Sequence, residues 1–379
     1  MPQVLGVGII GCGNIAEHYL KLAPMFNGID VRACADINHE AAIARSEEFD
    51  VRAQSVDELL ASDDIDIVVN LTIPSVHAAV SADILASGKH VYSEKPFALS
   101  LSESKLLLDL AGKKNLRIGS APDTFLGGVH QHARALLDSG VIGKITSGTA
   151  HVQGSGMESW HPNPDFFFKP GAGPVLDIGP YYITNLVQLL GPVKRVASLS
   201  TTPSLERTIT SEERYGEKIQ VETPTTIHAL LSFENGAAIT LGTSWDVWSH
   251  DHNHMELYGE RGTMYVPDPN FFGGELRVTD GAEPIAALEA YPHPLGVPNE
   301  EEDDGSMRAN YRAAGLADMA MAVNQGREHR CSAELATHVV DVMVSILESG
   351  ELGEFVDITT RCERPAPLGI DDARALLKY

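Results

Sequence analysis

The sequence predicts an α/β protein in two parts: an N-terminal doubly wound parallel sheet, then an α+β domain carrying a large open, mostly antiparallel sheet. Three observations lead there. Strand-like and helix-like segments alternate through the first third, a glycine turn follows the first strand, and two hairpin signals mark the second half. The alternation implies parallel strands joined by right-handed crossovers.

In order, residues 4–10 form an apolar strand, 15–26 a helix and 31–35 a strand. Helices at 40–48 and 56–61 precede a buried strand at 65–71. The pattern continues with helix 76–87, strand 90–93, helix 102–111 and strand 116–120, and a helix at 125–137 follows. Beyond it, 145–153 and 193–200 read as strands. Strands 225–233 and 237–245 flank Glu234-Asn235-Gly236, and 255–258 and 263–266 flank Gly259-Glu260-Arg261-Gly262. One helix, 174–190, interrupts this sheet. Helices 307–323 and 333–349 and a strand at 355–360 end the pattern, and 281–305 reads as a surface loop. The division falls at 1–123 and 124–379.

At 379 residues the chain has room for about two domains. Its 52 acidic and 28 basic residues leave a net charge of −24, which repels polyanions and argues against nucleic acid or anionic membrane as partners. The acidic run Glu300-Glu301-Glu302-Asp303-Asp304 reads as a solvated loop. No apolar stretch approaches membrane-spanning length and the chain leads straight into a strand, so the expectation is a cytoplasmic protein. Cys12, Cys34, Cys331 and Cys362 lack metal-ligand spacing and are expected to be reduced.

Gly11-x-Gly13-x-x-Ala16 stands between the first strand and the first helix. Glycines there let the backbone approach a diphosphate, and free N–H groups at the helix start, on Asn14 and Ile15, offset its charge. Gly6-x-Gly8-x-x-Gly11 has the same form, but that frame puts the turn inside the strand. Asp36 ends the second strand, 23 positions after Gly13. A carboxylate there can accept both ribose hydroxyls and would repel a 2′-phosphate, so NAD is favoured over NADP and the first unit reads as a Rossmann domain. Ligands of such sheets bind outside the carboxyl ends of the strands, here at Gly11, Asp36, Thr72, Lys95 and Asp123.

Gly11-x-Gly13-x-x-Ala16, Gly88-Lys89-His90-Val91, Glu94-Lys95-Pro96 and Asp177-x-Gly179-x-Tyr181 occur in that order. Together they resemble the glucose–fructose oxidoreductase / inositol dehydrogenase / MocA family over essentially the whole chain. The resemblance implies hydride transfer between a nicotinamide and a carbinol carbon of a sugar, anhydrosugar, glycoside or cyclitol. It also implies Thr72, His77, Glu94 and Lys95 as further cofactor contacts.

Oxidising an alcohol needs a base for the hydroxyl proton. A free phenol, with a pKa of about 10, is too weak a base at neutral pH, and a neighbouring ammonium favours the phenolate. Asp177 and Tyr181, four apart on one expected helix, share a face. The catalytic set is therefore Lys95, Asp177 and Tyr181, with Tyr181 accepting the proton, Lys95 assisting it and donating to the substrate hydroxyl, and Asp177 orienting the group. Asp177 is also placed to cap the helix, and Tyr181 to pack in the core. Spacing does not decide between Tyr181 and Tyr182. Many family members have His where Tyr181 stands and Asp where Thr184 stands. Leu71-Thr72-Ile73-Pro74-Ser75-Val76-His77 keeps only the Thr and His of the family's segment there.

Trp160 and His161 are expected to line the sugar pocket beside Lys95, Asp177 and Tyr181, with Asp123 as a further contact. His250, His252 and His254 would share one face of a strand, near Asp251 and His228, but no fourth ligand is evident and no metal is expected. The resemblance leaves two other functions open: an NAD-dependent glycoside hydrolase of the same fold, and a non-catalytic NAD-binding regulator. A free face on the second sheet points to a homodimer or homotetramer.

Overall fold

The computed structural model describes residues 3–280, 283–284, 291–302 and 304–378. Strands β1 (Leu5–Ile10), β2 (Ile29–Ala35), β3 (Arg52–Gln54), β4 (Ile67–Asn70), β5 (His90–Ser93) and β6 (Ile118–Ser120) form a parallel sheet in the order 3-2-1-4-5-6. Helices α1 (Asn14–Leu22), α2 (His39–Phe49), α3 (Val56–Ala61), α4 (His77–Ala86) and α5 (Leu101–Lys114) make its crossovers. The order reverses between β1 and β4, which opens the crevice where such sheets bind dinucleotides. Every residue of β1 and β4 is buried, as expected of strands covered on both faces. Ser55 with Glu58, and Ser100 with Glu103, form capping boxes that start α3 and α5.

Gly6 and Gly8 lie inside β1, where a Cβ would meet Asp64 O at 1.9 Å and the Leu59 side chain at 2.8 Å. They serve helix–strand packing, which leaves the later glycine frame as the turn. Lys89 of the Gly-Lys-His-Val segment is likewise structural: its Nζ donates to Ser62 O (2.7 Å) and Ile65 O (2.8 Å).

After α6 (Gly128–Asp138) come β7 (Ile145–Gln153), the short α7 (Pro174–Asp177), α8 (Gly179–Leu190) and β8 (Val193–Thr201). A small hairpin, β9 (Glu206–Thr208) with β10 (Lys218–Gln220), stands apart. Then follow β11 (Thr226–Phe233), β12 (Ala238–Ser244), β13 (Met255–Gly259), β14 (Thr263–Val266), β15 (Arg277–Asp280) and β16 (Glu283–Pro284). The chain ends through β17 (Glu300–Glu301), β18 (Met307–Arg308), α9 (Ala314–Gln325), α10 (Ala333–Leu352), β19 (Val356–Asp357) and α11 (Ile370–Leu376). The second sheet has nine strands, ordered 16-15-14-13-7-12-11-8-19; only the β7–β12 pair is parallel. Both expected hairpins form. Among the described residues no helix is long and apolar enough to cross a membrane, and all four cysteines are buried and free.

Three expectations need correction. The helix expected at 174–190 is broken at Ile178, because Pro180 has no N–H to continue the ladder. The helix expected from 307 begins at Ala314; residues 307–308 instead pair as β18 with β17. Glu300, expected in a solvated loop, has a side chain 12% exposed and bound to Arg308 and Asn310 at 2.8 and 2.7 Å. The rest of the expected 281–305 loop lies partly outside the described residues.

The C-terminal segments return to the first sheet. Ser120 N donates to Cys331 O (3.1 Å), and Phe26 bridges Leu377. Asp123, expected to touch substrate, is 1% exposed and accepts from Gly315 N (3.0 Å), holding the first turn of α9. A buried carboxylate at a helix start gains from the dipole. Burial nevertheless pushes its carboxyl up to about 6, against the opposing pull of Arg312 and the Gly315 N–H. Between its unfolded value near 4 and its folded value, the native state holds the extra proton, so this group lowers stability as pH rises through that window. Asp123→Asn removes the effect. Relative to the parent chain, the variant is expected to gain on the order of 2–3 kcal/mol between pH 4 and pH 7.5, read from urea melts at both values. A difference independent of pH would contradict this.

Candidate active site

The glycine turn leaves β1 at Gly11, whose φ of +101° disfavours a side chain, and a Cβ there would meet Leu71 carbonyl atoms at 2.6 Å. Gly13 caps α1 with no side-chain hydrogen bond, and a Cβ on it would meet nothing within 4 Å. The first N–H groups of α1 thus face open space, which suits a diphosphate. Asp36 is fixed beside this turn: its Oδ2 accepts from Cys12 N (2.7 Å) and its Oδ1 from Asn38 N (2.8 Å). Lone pairs remain for ribose hydroxyls. These residues fit a dinucleotide.

Thr72 Oγ1 donates to Asn70 Oδ1 (2.7 Å). His77 is 1% exposed, with Nδ1 at 2.7 Å from Pro96 O and Nε2 at 2.8 Å from Thr72 O. His77 therefore ties the loop after β4 to the loop after β5, and its influence on a ligand passes through those backbones.

Lys95 follows β5, and its Nζ crosses to the second domain. It donates to Asp177 Oδ1 and to Asp177 O, both at 2.8 Å, and lies 5.2 Å from the centre of the Tyr181 ring. The carbonyl is available because of the break at Ile178: Tyr181 N donates to Ile178 O (3.1 Å) instead of to Asp177 O. So Asp177 and Tyr181 converge on Lys95 from two abutting helices, not from one helix face. Burial pulls the Lys95 pKa down more than any single neighbour raises it, but the charge and hydrogen bond of Asp177, with Tyr181 and Glu94, together outweigh it, so the ammonium is held above the usual lysine range. With two N–H bonds committed to Asp177, one remains for a ligand.

Glu94 is buried at 6% exposure. Its Oε2 accepts from Lys95 N (2.8 Å), and its Oε1 from Tyr19 OH (3.1 Å) and Arg312 Nη1 (2.9 Å). Arg312 was not singled out in the sequence, since it lies 218 positions from Glu94 and belongs to no motif. Burial opposes its charge, but Tyr181 and Glu94 keep its pKa well above the usual value.

These groups line a cleft of about 900 Å³ that also takes in Asn14, Ile15, Thr72, His77, Trp160 and His161. Asp123 and Tyr182 do not border it. Tyr182 is fully buried and bonds His254 Nδ1 at 3.0 Å, so Tyr181 is the tyrosine that faces the cleft. His250, His252 and His254 lie in the loop before β13, and only the first two come together: their rings meet at 5.7 Å and His252 stacks on His151 at 4.1 Å, whereas His254 turns to Tyr182. Among the described residues no group of three His, Cys, Asp or Glu is arranged to hold a metal.

Two family models match the chain: "Oxidoreductase family, NAD-binding Rossmann fold" over residues 5–121 and "GFO/IDH/MocA C-terminal domain" over 130–265. An uncharacterized oxidoreductase of Schizosaccharomyces pombe is 29% identical over 197 residues, which is 50% of this chain and 51% of that one. An inositol 2-dehydrogenase/D-chiro-inositol 3-dehydrogenase of Lacticaseibacillus casei is 33% identical over 37% of this chain and 42% of its own. The chain therefore spans about half the length of these curated relatives. A levoglucosan dehydrogenase in complex with NADH and levoglucosan shares the fold, with a TM-score of 0.79 at 21% identity over 94% of this chain and 100% of that one. With a matched NAD-binding Rossmann domain followed by the matching C-terminal domain, the chain belongs to the Gfo/Idh/MocA oxidoreductase family.

Proposed function

We propose that this protein is an NAD-dependent dehydrogenase acting on a secondary alcohol of a sugar, anhydrosugar, glycoside or cyclitol. The observation that carries the reading is the Lys95 ammonium, bound twice by Asp177 and set 5.2 Å from the Tyr181 ring at the crevice of the first sheet. The similarity to an inositol dehydrogenase and to a levoglucosan dehydrogenase supports the substrate class.

When NAD is bound, it supplies the acceptor for the hydride leaving the carbinol carbon. Tyr181 takes the hydroxyl proton as the carbonyl forms. The Lys95 ammonium lies 5.2 Å from the ring of that phenol. The uncommitted N–H of Lys95 donates to the reacting oxygen, and Asp177 holds that ammonium in place. Asp36 accepts the ribose hydroxyls and disfavours a 2′-phosphate. We also propose a homo-oligomer. Leu199 and Leu230 stand 73% and 55% exposed on the outer face of the second sheet, as monomer surfaces seldom do in clusters.

Three outcomes are expected. Tyr181→Phe and Lys95→Ala each lower kcat for NADH formation by on the order of 100- to 10,000-fold. Near-normal turnover in either variant would remove that residue from the mechanism, and free sugar released without net NADH would indicate a glycosidase instead. Asp36→Ser lowers the ratio of kcat/KM for NAD over NADP by at least about tenfold; an unchanged ratio would show that the carboxylate does not read the ribose. Light scattering gives a mass of two or four chains, and a single-chain mass would exclude the homo-oligomer.

A further inference from the structure

Besides the groups around Lys95, the cleft is lined by apolar side chains of the first domain, Ile73, Pro74 and Leu99, and of the second, Met157, Trp160 and Phe166. Asp36 and Gly11 lie outside its 900 Å³, so the adenosine end of a dinucleotide takes up none of this space. The space takes the diphosphate at Asn14 and Ile15, the nicotinamide riboside and the sugar ring, and it sits near the upper end for small-molecule sites.

The second-domain lining is built separately from the rest of the domain. Met157, Phe167, Phe168, Ile209, Ile219 and Trp245 belong to a small hydrophobic core of their own. Arg207 clamps this unit, pairing with Glu158 and reaching Asp246 Oδ1 (2.8 Å), Ser155 O (2.8 Å) and Trp245 O (2.9 Å). Trp160 meets His161 edge-on at 5.4 Å, and His161 meets Phe167 edge-on at 5.0 Å. Trp160 is 65% exposed, Phe166 47% and, from the first domain, Ile73 66%. Large apolar groups exposed to water in one cleft mark a binding surface.

His161 Nδ1 accepts from Asn163 N (3.0 Å), and Lys169 is paired with Glu222. The most exposed large side chains of the lining, Ile73, Trp160 and Phe166, are apolar, and a flat apolar group buries them without leaving hydroxyls to be desolvated.

We propose that this apolar part of the cleft is a subsite for an aromatic aglycone, so that the substrates are glycosides carrying a flat apolar group and not free monosaccharides or cyclitols. This rests on the dehydrogenase reading above. The sugar ring lies at Lys95 and Tyr181, and the aglycone lies between Ile73 and Trp160.

The test uses the full chain with NAD and matched methyl and 4-nitrophenyl glycosides of glucose, galactose, mannose, xylose and N-acetylglucosamine, with cellobiose as a disaccharide. For the sugar accepted, kcat/KM is expected to be at least about tenfold higher for the aryl than for the methyl glycoside. Trp160→Ala and Phe166→Ala each lower that ratio several-fold, and Trp160→Phe keeps most of it. A ratio near one in the parent chain, a ratio unmoved by both alanine variants, or a preference for the disaccharide overturns the subsite. If none of the compounds reduces NAD, the redox reading fails and the subsite is judged by calorimetric binding to the NADH-loaded chain. An aryl preference that Trp160→Ala abolishes upholds it; equal affinities, or no binding, overturn it.

Discussion

The ion pair between Lys95 and Asp177 joins the two domains at the point where the ligands converge. Both side chains are largely withdrawn from water, at 17% and 19% exposure, so each would carry a large desolvation cost alone. At their separation the attraction is on the order of 4–6 kcal/mol for an effective dielectric near 20, enough to offset that cost when further hydrogen bonds are present. One such bond comes from the Asp177 carbonyl, which the proline-induced break between α7 and α8 leaves free. A helix defect thus completes the coordination of the ammonium.

Glu94, the residue before Lys95, extends the grip in other directions. Its carboxylate holds α1 through Tyr19 and the segment leading into α9 through Arg312. Two adjacent residues at the end of β5 therefore fasten α1, the α7–α8 break and the C-terminal return. Ala313, next to Arg312, adopts φ +82°, an unusual conformation for a residue with a side chain. Such strain persists only where the surroundings over-determine it, and here the Arg312–Glu94 pair and the α9 start held by Asp123 flank it on either side.

Much of this was legible in the chain. Strands β5, β7 and β14 and helix α3 have the bounds expected from periodicity, because a strand or helix that buries a face repeats its apolar residues at the matching period. Lys95, Asp177 and Tyr181 were identified from their motifs, and the structure brings them together. What escaped was set by contacts between distant segments. Arg312 carries no local signal, as its partner comes from another domain. Asp123 sits at a strand end, where ligands usually bind, yet it is claimed by α9 folding back over it. The three histidines alternate as a strand would, but the backbone there forms a loop, and His252 and His254 find partners on different elements.

The amino-acid sequence by itself determined the glycine turn, the acid that ends the second strand, the parallel sheet and the kinds of side chain gathered at its crevice. These follow from backbone sterics and from burial patterns repeating over a few residues. Tertiary structure alone decided which tyrosine enters the cleft, which carboxylate is buried as a helix anchor, and where the aromatic wall stands. Those outcomes depend on which elements pack against one another, and packing joins residues whose separation along the chain carries no periodic trace.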